Sequence, residues 1–415
     1  VRFERRAVAP ADPAALRALG ARAGWLVETP DVLRVGFGSL ADRIVLDGGL
    51  ETTTTTTAAE ALGGHDVTGD DGPAGTGVVA FASLPFDRDA PGELDVPEFT
   101  LTQTRAGDAW ISALGGNASW RSLLESFDAP TQETQSLRSL TFQPTPEEYA
   151  HNVALAVEIL RRKEIDKVVL SRAVLGTVPE VIDPAALAQR LRLREPICTL
   201  YSLPTPDGRR FVGASPELLV RRLGAEVQCH PLAGTIALPP NVAPDDYETW
   251  LLGSTKNLHE HAVVVDEIVG NLGGLYDDID ADAEPSIVAL RTVAHLGTWI
   301  TARNADPEHA PDALEVLRVL HPTAAVGGIP RRQAYDLINR LEQHDRGHFA
   351  GPLGWVDAGG DGEWWIGLRG VLVNGRDFEA WAGAGIVSES DPIAEREETR
   401  NKLAVVLSSL LTDPI

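Results

Sequence analysis

Methionine is missing from all 415 residues, and cysteine occurs only twice, as Cys198 and Cys229. Two thiols are too few for a disulfide framework, and with no CxxC pair or Cys/His cluster they offer no zinc site. The lack of methionine carries no functional message. Long apolar runs are missing too, none approaching the ~18 residues needed to span a bilayer. The opening stretch VRFERRAVAPADPAALRALG has positive charge but no uninterrupted apolar segment behind it, so no secretory signal is expected. These absences lead to the expectation of a reduced, cytoplasmic protein. Basic residues are in deficit, 36 Lys and Arg against 60 Asp and Glu, for a net charge of −24. Such a chain is repelled by nucleic acid and by anionic membranes, and neither is expected as a partner. A small anion can still bind wherever a few basic groups, backbone amides or a cation converge.

What is present belongs to a folded protein: 43% hydrophobic and 23% charged residues, with length for one large domain or for two to three ordinary ones. The pattern divides the chain near residue 140, into a variable part, 1–140, and a more regular part, 141–415, expected to form one compact unit together. The first part holds loop-like patches, among them GGHDVTGDDGPAGTG and a run of six threonines in ETTTTTTAAE. β-Branched residues are stiff in helices, so the run is expected to be a surface loop without a catalytic role. In the second part, Thr145, Pro146 and Glu148 form a helix start with a capping box, followed by the apolar stripe Val153, Ala156, Val157 and Leu160. KVVLSRAV reads as a strand, DPAALAQRLR and STKNLHEHAVVVDEIVGNL as helices, and the Gly-punctuated stretch from Arg346 to Val387 as antiparallel hairpins. Hairpins mixed with long helices argue for an α+β fold and against a doubly wound parallel sheet.

Several charged residues have both a plain and a chemical reading. Lys167 opens a strand; at a strand edge it is ordinarily solvated, whereas a desolvated lysine can act as a general base. Glu217, in GASPELLV, is either an exposed turn acid or a partly buried one that keeps its proton as a general acid. Glu260 lies on a different side of its helix from Leu258, Val265 and Ile268, which favours a solvated face. Its neighbours His259 and His261 lack the HExxH spacing of zinc proteases and read as structural. In the last helix, AEREETRNKL places Glu395, Glu398 and Lys402 at i, i+3 and i+7. Glu398 and Lys402 form an ordinary i, i+4 pair. Glu395 and Glu398 repel mildly unless a cation sits between them, and hard oxygen ligands suit Mg²⁺. The small residues of WAGAGI, just upstream, let backbone amides approach an anion. HPTAAVGGIPRR is a turn entering a helix, and HLGT a strand end. LLES, residues 123–126, mimics a feedback motif but has no partner motif and is treated as coincidence.

Taken in order, KVVLSRA, GASPELL, PLAGT, KNLHEHAVVVDEI, HLGT, HPTAAVGGIP, GLRG, AGAGIV and EREETRNKL resemble the chorismate-utilising enzymes, specifically the isochorismate synthases of menaquinone and siderophore synthesis. The resemblance runs from about residue 142 to the C-terminus; AFASLPFD and VPEF extend it more weakly into the first part. It implies a four-layer α/β/β/α fold with two orthogonally packed, largely antiparallel sheets. It also implies Mg²⁺ and an isomerase in which water attacks C2 of chorismate as the C4 hydroxyl leaves. Lys167 matches the general base and Glu217 the general acid. Glu260 and Glu398 match the Mg²⁺ ligands, with Glu395 in the same cluster. Gly234, Thr235, His295, Ala325, Val326, Arg369, Gly383, Gly385 and Lys402 match groups around the substrate. Relatives that use ammonia commonly carry Gln where this chain has Lys167, so no glutaminase subunit is expected and a monomer is. A salicylate synthase, which goes on to eliminate pyruvate, and a catalytically inactive chorismate-binding relative are the alternatives.

Overall fold

The computed structural model describes residues 1–50, 57–127, 129–239, 242–306 and 310–413. The threonine run expected as a surface loop lies outside these residues except for Thr57. Thr57 caps the helix Ala58–Leu62: its side chain accepts from the Glu60 amide, and the Glu60 side chain returns to the Thr57 amide. The capping box at Thr145 and Glu148 likewise starts Pro146–Leu160, which buries Tyr149, Val153, Ala156, Val157 and Leu160. Asp183, Ser254 and Asp391 accept from the first-turn amides of Pro184–Arg194, Thr255–Leu272 and Pro392–Leu410.

Most of the strands form two largely antiparallel sheets. The first runs Ser139–Gln143, Lys167–Thr177, Asp377–Ile386, Gly370–Asn374, Arg210–Ser215, Thr199–Pro204, Trp25–Glu28 and then Val32–Leu46. The second runs Val79–Ser83, Pro352–Asp357, Gly362–Ile366, Leu218–Leu223, Glu226–His230, Ile300–Arg303 and Asp278–Ala281. The long pair Val32–Leu46 and Gly92–Thr104 joins them, its register shifting between Phe37 and Asp42 where the strands turn from one sheet to the other. Strands from before and after residue 140 pair directly, as Leu26 does with Ser202 and Phe81 with Trp355.

Side chains alternate between two cores. Val212, Val371, Ala380 and Ala382 face the helices Pro13–Ala23, Pro184–Arg194 and Pro392–Leu410 through Leu16, Leu187 and Leu403. Their neighbours Phe211, Leu372 and Trp381 point the other way and share a core with Val220, Trp355 and Trp364 of the second sheet and with Val264 and Leu317 from helices. Strands buried on both faces read as continuous apolar runs, which is why the sequence lacks strict alternation here.

Two neighbouring chains change sheets at one corner. Arg210–Ser215 belongs to the first sheet and Leu218–Leu223 to the second, with Pro216 and Glu217 between. Beside it the chain returns from Gly362–Ile366 to Gly370–Asn374 through residues 367–369. The Ile366 amide donates to the Glu217 carbonyl at 3.1 Å and the Ala214 amide to the Arg369 carbonyl at 3.3 Å. A small third sheet, Leu232–Ala237, Val293–Gly297 and Ser286–Ala289, sets Thr235 opposite His295. Among the described residues no helix is long and apolar enough to cross a membrane.

Candidate active site

A cleft opens at this corner. Of the residues singled out from the sequence, Glu217, Thr235, Glu260, His295, Ala325, Val326, Arg369, Gly383, Gly385 and Lys402 line it. Lys167, Gly234, Glu395 and Glu398 are not part of the lining; they stand beside residues that are.

Lys167 is fully buried at the start of its strand. Its Nζ lies 3.2 Å from Glu260 Oε1, an ion-pair distance without hydrogen-bond geometry. The neighbouring strand makes room for this contact. A Cβ on Gly385 would collide with Glu260 Oε1 and come within 2.9 Å of Lys167 Cε. The solvated face expected for Glu260 is not what the helix presents: Glu260 is buried together with Asn257, His261, Val264 and Ile268. Leu258 packs instead, partly buried, against a small separate cluster. The buried stripe of this helix is thus mixed, polar at its first turns and apolar later, which hid the inward face in the sequence. Burial pushes the Glu260 carboxyl up, but Lys167, Lys256 and Lys402 more than offset that and hold it below the usual carboxylate range. His261, buried beside it, has Nε2 2.7 Å from Thr298 Oγ1.

Glu217 sits at the sheet-changing corner, 4% exposed. Its carboxylate accepts only a long bond from the Leu232 amide at 3.4 Å. Burial pushes its pKa up to about 7, against the pull of Lys167 and Lys402. It is therefore an acid that holds a proton near neutrality.

The last helix delivers three charges. Lys402 Nζ is 2.7 Å from Glu398 Oε1 and donates to the Gly383 carbonyl at 3.0 Å, so the expected i, i+4 pair is anchored on the small-residue strand. Glu395 is 1% exposed and bonded at 2.6 Å to Lys256. Burial and then the Glu398 charge push Glu395 up to about 7, while Lys256 pulls it down. Lys256 was not singled out from the sequence; its place one helical turn before Glu260 is the signal that could have found it.

On the opposite chain crossing, Arg369 Nη2 donates to His295 Nε2 at 3.0 Å, leaving His295 Nδ1 to face Thr235 Oγ1 at 2.9 Å. Burial, then Arg369 and Lys402, keep the imidazole well below its usual pKa, so it is neutral and carries its proton on Nδ1. Arg369 itself is buried, has φ of +52° in the left-handed region, and leaves Nη1 without a partner among the described residues. Holding a non-glycine residue there costs about 1–3 kcal/mol and aims a desolvated guanidinium at the cleft. Gly234 supplies the turn beneath Thr235, with φ of +69°.

The sequence reading missed Arg346, Phe349 and Trp381, which also line the cleft. Arg346 donates to the Val326 carbonyl at 2.7 Å and the Val169 carbonyl at 2.8 Å, and its pair with Glu342 at 2.6 Å is buried. Nothing in a lone arginine within DRGHF marks it as a brace.

Three carboxylates, Glu395, Glu260 and Glu398, each raise the pKa of Lys256. Hard oxygen donors with mutual repulsion are the donor chemistry that Mg²⁺ fits. As placed, each carboxylate is paired with a lysine, and among the described residues no three acidic, histidine or cysteine side chains close around a point that could hold a metal ion.

A family described as chorismate binding enzymes matches residues 20–411. The chain belongs to that family. Within it, the chain is 36% identical over 282 residues to the vibriobactin-specific isochorismate synthase of Vibrio cholerae, covering 68% of this chain and 71% of that protein. Identity to the isochorismate synthase DhbC of Bacillus subtilis is 32% over 366 residues, or 86% and 85% of the two chains. The structure of the menaquinone-specific isochorismate synthase MenF from Escherichia coli superposes with a TM-score of 0.81 at 24% identity, over 99% of this chain and 95% of that one. That likeness speaks for the fold. The family's α+β architecture with two sheets is the one described above.

Proposed function

We propose that this chain is an isochorismate synthase, interconverting chorismate and isochorismate reversibly with Mg²⁺. The observation that supports this most is the pairing of a fully buried lysine, Lys167, with a buried carboxylic acid, Glu217, whose pKa stands at about 7 beside one cleft. Water is a poor nucleophile and hydroxide a poor leaving group, so the reaction needs a base and an acid at once. In its neutral form Lys167 Nζ takes a proton from water as the oxygen bonds to C2. The ring double bonds shift, the C4–O bond breaks, and Glu217 gives its proton to the departing oxygen, which leaves as water. One proton is taken and one given, so the product is an isomer. In the reverse direction the same two groups exchange the same two protons.

The remaining residues bind and orient. Chorismate is a dianion inside a protein of net charge −24, so its carboxylates need local positive charge. Arg369, locked by His295 and Thr235, clamps one carboxylate, and Lys402 supports the other beside the backbone of Gly383 and Gly385. Mg²⁺, when bound, neutralises the ring carboxylate; Glu260 and Glu398 would hold it, with Glu395 in support. Ala325 and Val326, braced by Arg346, close the wall. Because water is the nucleophile, no ammonia-supplying subunit is required.

The test is to incubate chorismate with the purified chain, with and without Mg²⁺, and to separate the products. A Mg²⁺-dependent mixture of chorismate and isochorismate without pyruvate is expected. Salicylate with pyruvate would overturn the simple isomerase, and unchanged chorismate would leave only a binding protein.

A further inference from the structure

The last helix has a second charged face, turned away from the active site. Arg396, Glu397, Arg400, Leu403 and Leu407 line a separate cleft with Phe142, Pro146, Glu147 and Arg172. Arg172 comes from the same strand as Lys167 and is 2% exposed. Its Nε donates to Thr399 Oγ1 at 2.9 Å and its Nη2 to the Arg396 carbonyl at 3.3 Å, while Nη1 makes no hydrogen bond among the described residues. Two more guanidiniums stand beside it. Arg396 and Arg400 share a single carboxylate, Glu397, at 3.1 and 2.9 Å. Their positive charges also bear on Arg172, whose pKa is lowered by burial and, against the opposing pull of Tyr149, by Arg396 and Arg400. The lining therefore carries three guanidiniums against two carboxylates, in a chain that is otherwise strongly acidic. Its floor is apolar: Leu403 and Leu407 are buried, and the Arg172 guanidinium lies 5.7 Å over the Phe142 ring.

We propose that this cleft is a binding site for a small carboxylate with an apolar body, distinct from the active site. The carboxylate meets Arg172 Nη1 and the arginine pair, displacing Glu397 as their shared anion, and the apolar body rests on Phe142, Leu403 and Leu407. Planar, bidentate guanidiniums favour a carboxylate or phosphate, and the apolar floor selects the carboxylate. The site also touches the catalytic helix directly, since Thr399, which accepts from Arg172, lies between Glu398 and Lys402 in sequence and is fully buried.

Benzoate and inorganic phosphate are the probes, with binding to the full chain followed by isothermal titration calorimetry in the absence of chorismate. Saturable benzoate binding is expected, with phosphate weaker. Arg396 and Arg400 are partly exposed, so R396Q and R400Q keep the fold, as thermal melting checks, and each should weaken benzoate by about tenfold, the loss of one charge-assisted hydrogen bond. R369Q, altered in the active-site cleft, should bind benzoate as the unmodified chain does. No saturable binding overturns the proposal. Binding lost in R369Q but kept in R396Q and R400Q also overturns it, by placing the ligand in the active site. Phosphate binding as tightly as benzoate overturns the assigned ligand class.

Discussion

At the scale of single residues, burial decides which side chains can move protons. Glu217 is buried with one long hydrogen bond, and burial outweighs the pull of Lys167 and Lys402, so its pKa rises to about 7. As a general acid it works when protonated, below that value, and loses its proton above it. Turnover limited by this step should therefore fall about tenfold per pH unit above 7, checked by a kcat profile from pH 6 to 9. The E217Q protein should lose roughly 10²–10⁴-fold in turnover and with it this alkaline limb. Gly385 matters for the space it leaves. In G385A the added methyl group meets Glu260 Oε1 and lies within 2.9 Å of Lys167 Cε. Displacing the base by about an ångström should lower kcat on the order of 100-fold while the far-ultraviolet circular dichroism stays unchanged. Lys167 and Glu217 were singled out because an ordered set of motifs named them. Their burial was not, since a strand-opening lysine and a turn glutamate look solvated in a linear reading.

At the scale of elements, the chemistry depends on how two helices meet one strand. Thr255–Leu272 brings Lys256 and Glu260, Pro392–Leu410 brings Glu395, Glu398 and Lys402, and Lys167–Thr177 brings Lys167, the proposed base. The periodicity of the last helix disclosed the i, i+4 pair but not its counterpart across space, because Lys256 and Glu395 are 139 positions apart. If the carboxylates take up Mg²⁺, the ion should raise the melting temperature of the unmodified chain. E398Q should lose most of that rise while remaining folded, which differential scanning fluorimetry measures without reference to turnover. Arg346 gives the structural counterpart. Replacing it in R346M leaves Glu342 buried without its cation and frees the Val169 and Val326 carbonyls. Chemical denaturation should show a loss of about 3–5 kcal/mol.

At the scale of the whole molecule, the active site exists because the sheets exchange strands. Glu217 and Arg369 are adjacent only where two paired chains cross from one sheet to the other, a long-range register that local patterns do not encode. The α+β class, the capped helices and the hairpins were readable from composition and spacing. The four-layer arrangement came from the resemblance, and the doubly buried strands explain why: with both faces covered, the period-2 signal that would have assigned each side chain to a core is absent. The net charge of −24 is likewise uninformative about the cleft, whose lining sets Arg346, Arg369 and Lys402 beside Glu217 and Glu260.

The central claim, that water adds at C2 while Glu217 protonates the leaving C4 hydroxyl, is tested most directly with solvent enriched in oxygen-18. Early in the reaction, isochorismate formed from chorismate should carry one heavy oxygen, at the C2 hydroxyl, with no pyruvate released. Isochorismate without the label, or a product that has lost its enolpyruvyl group, would contradict the account.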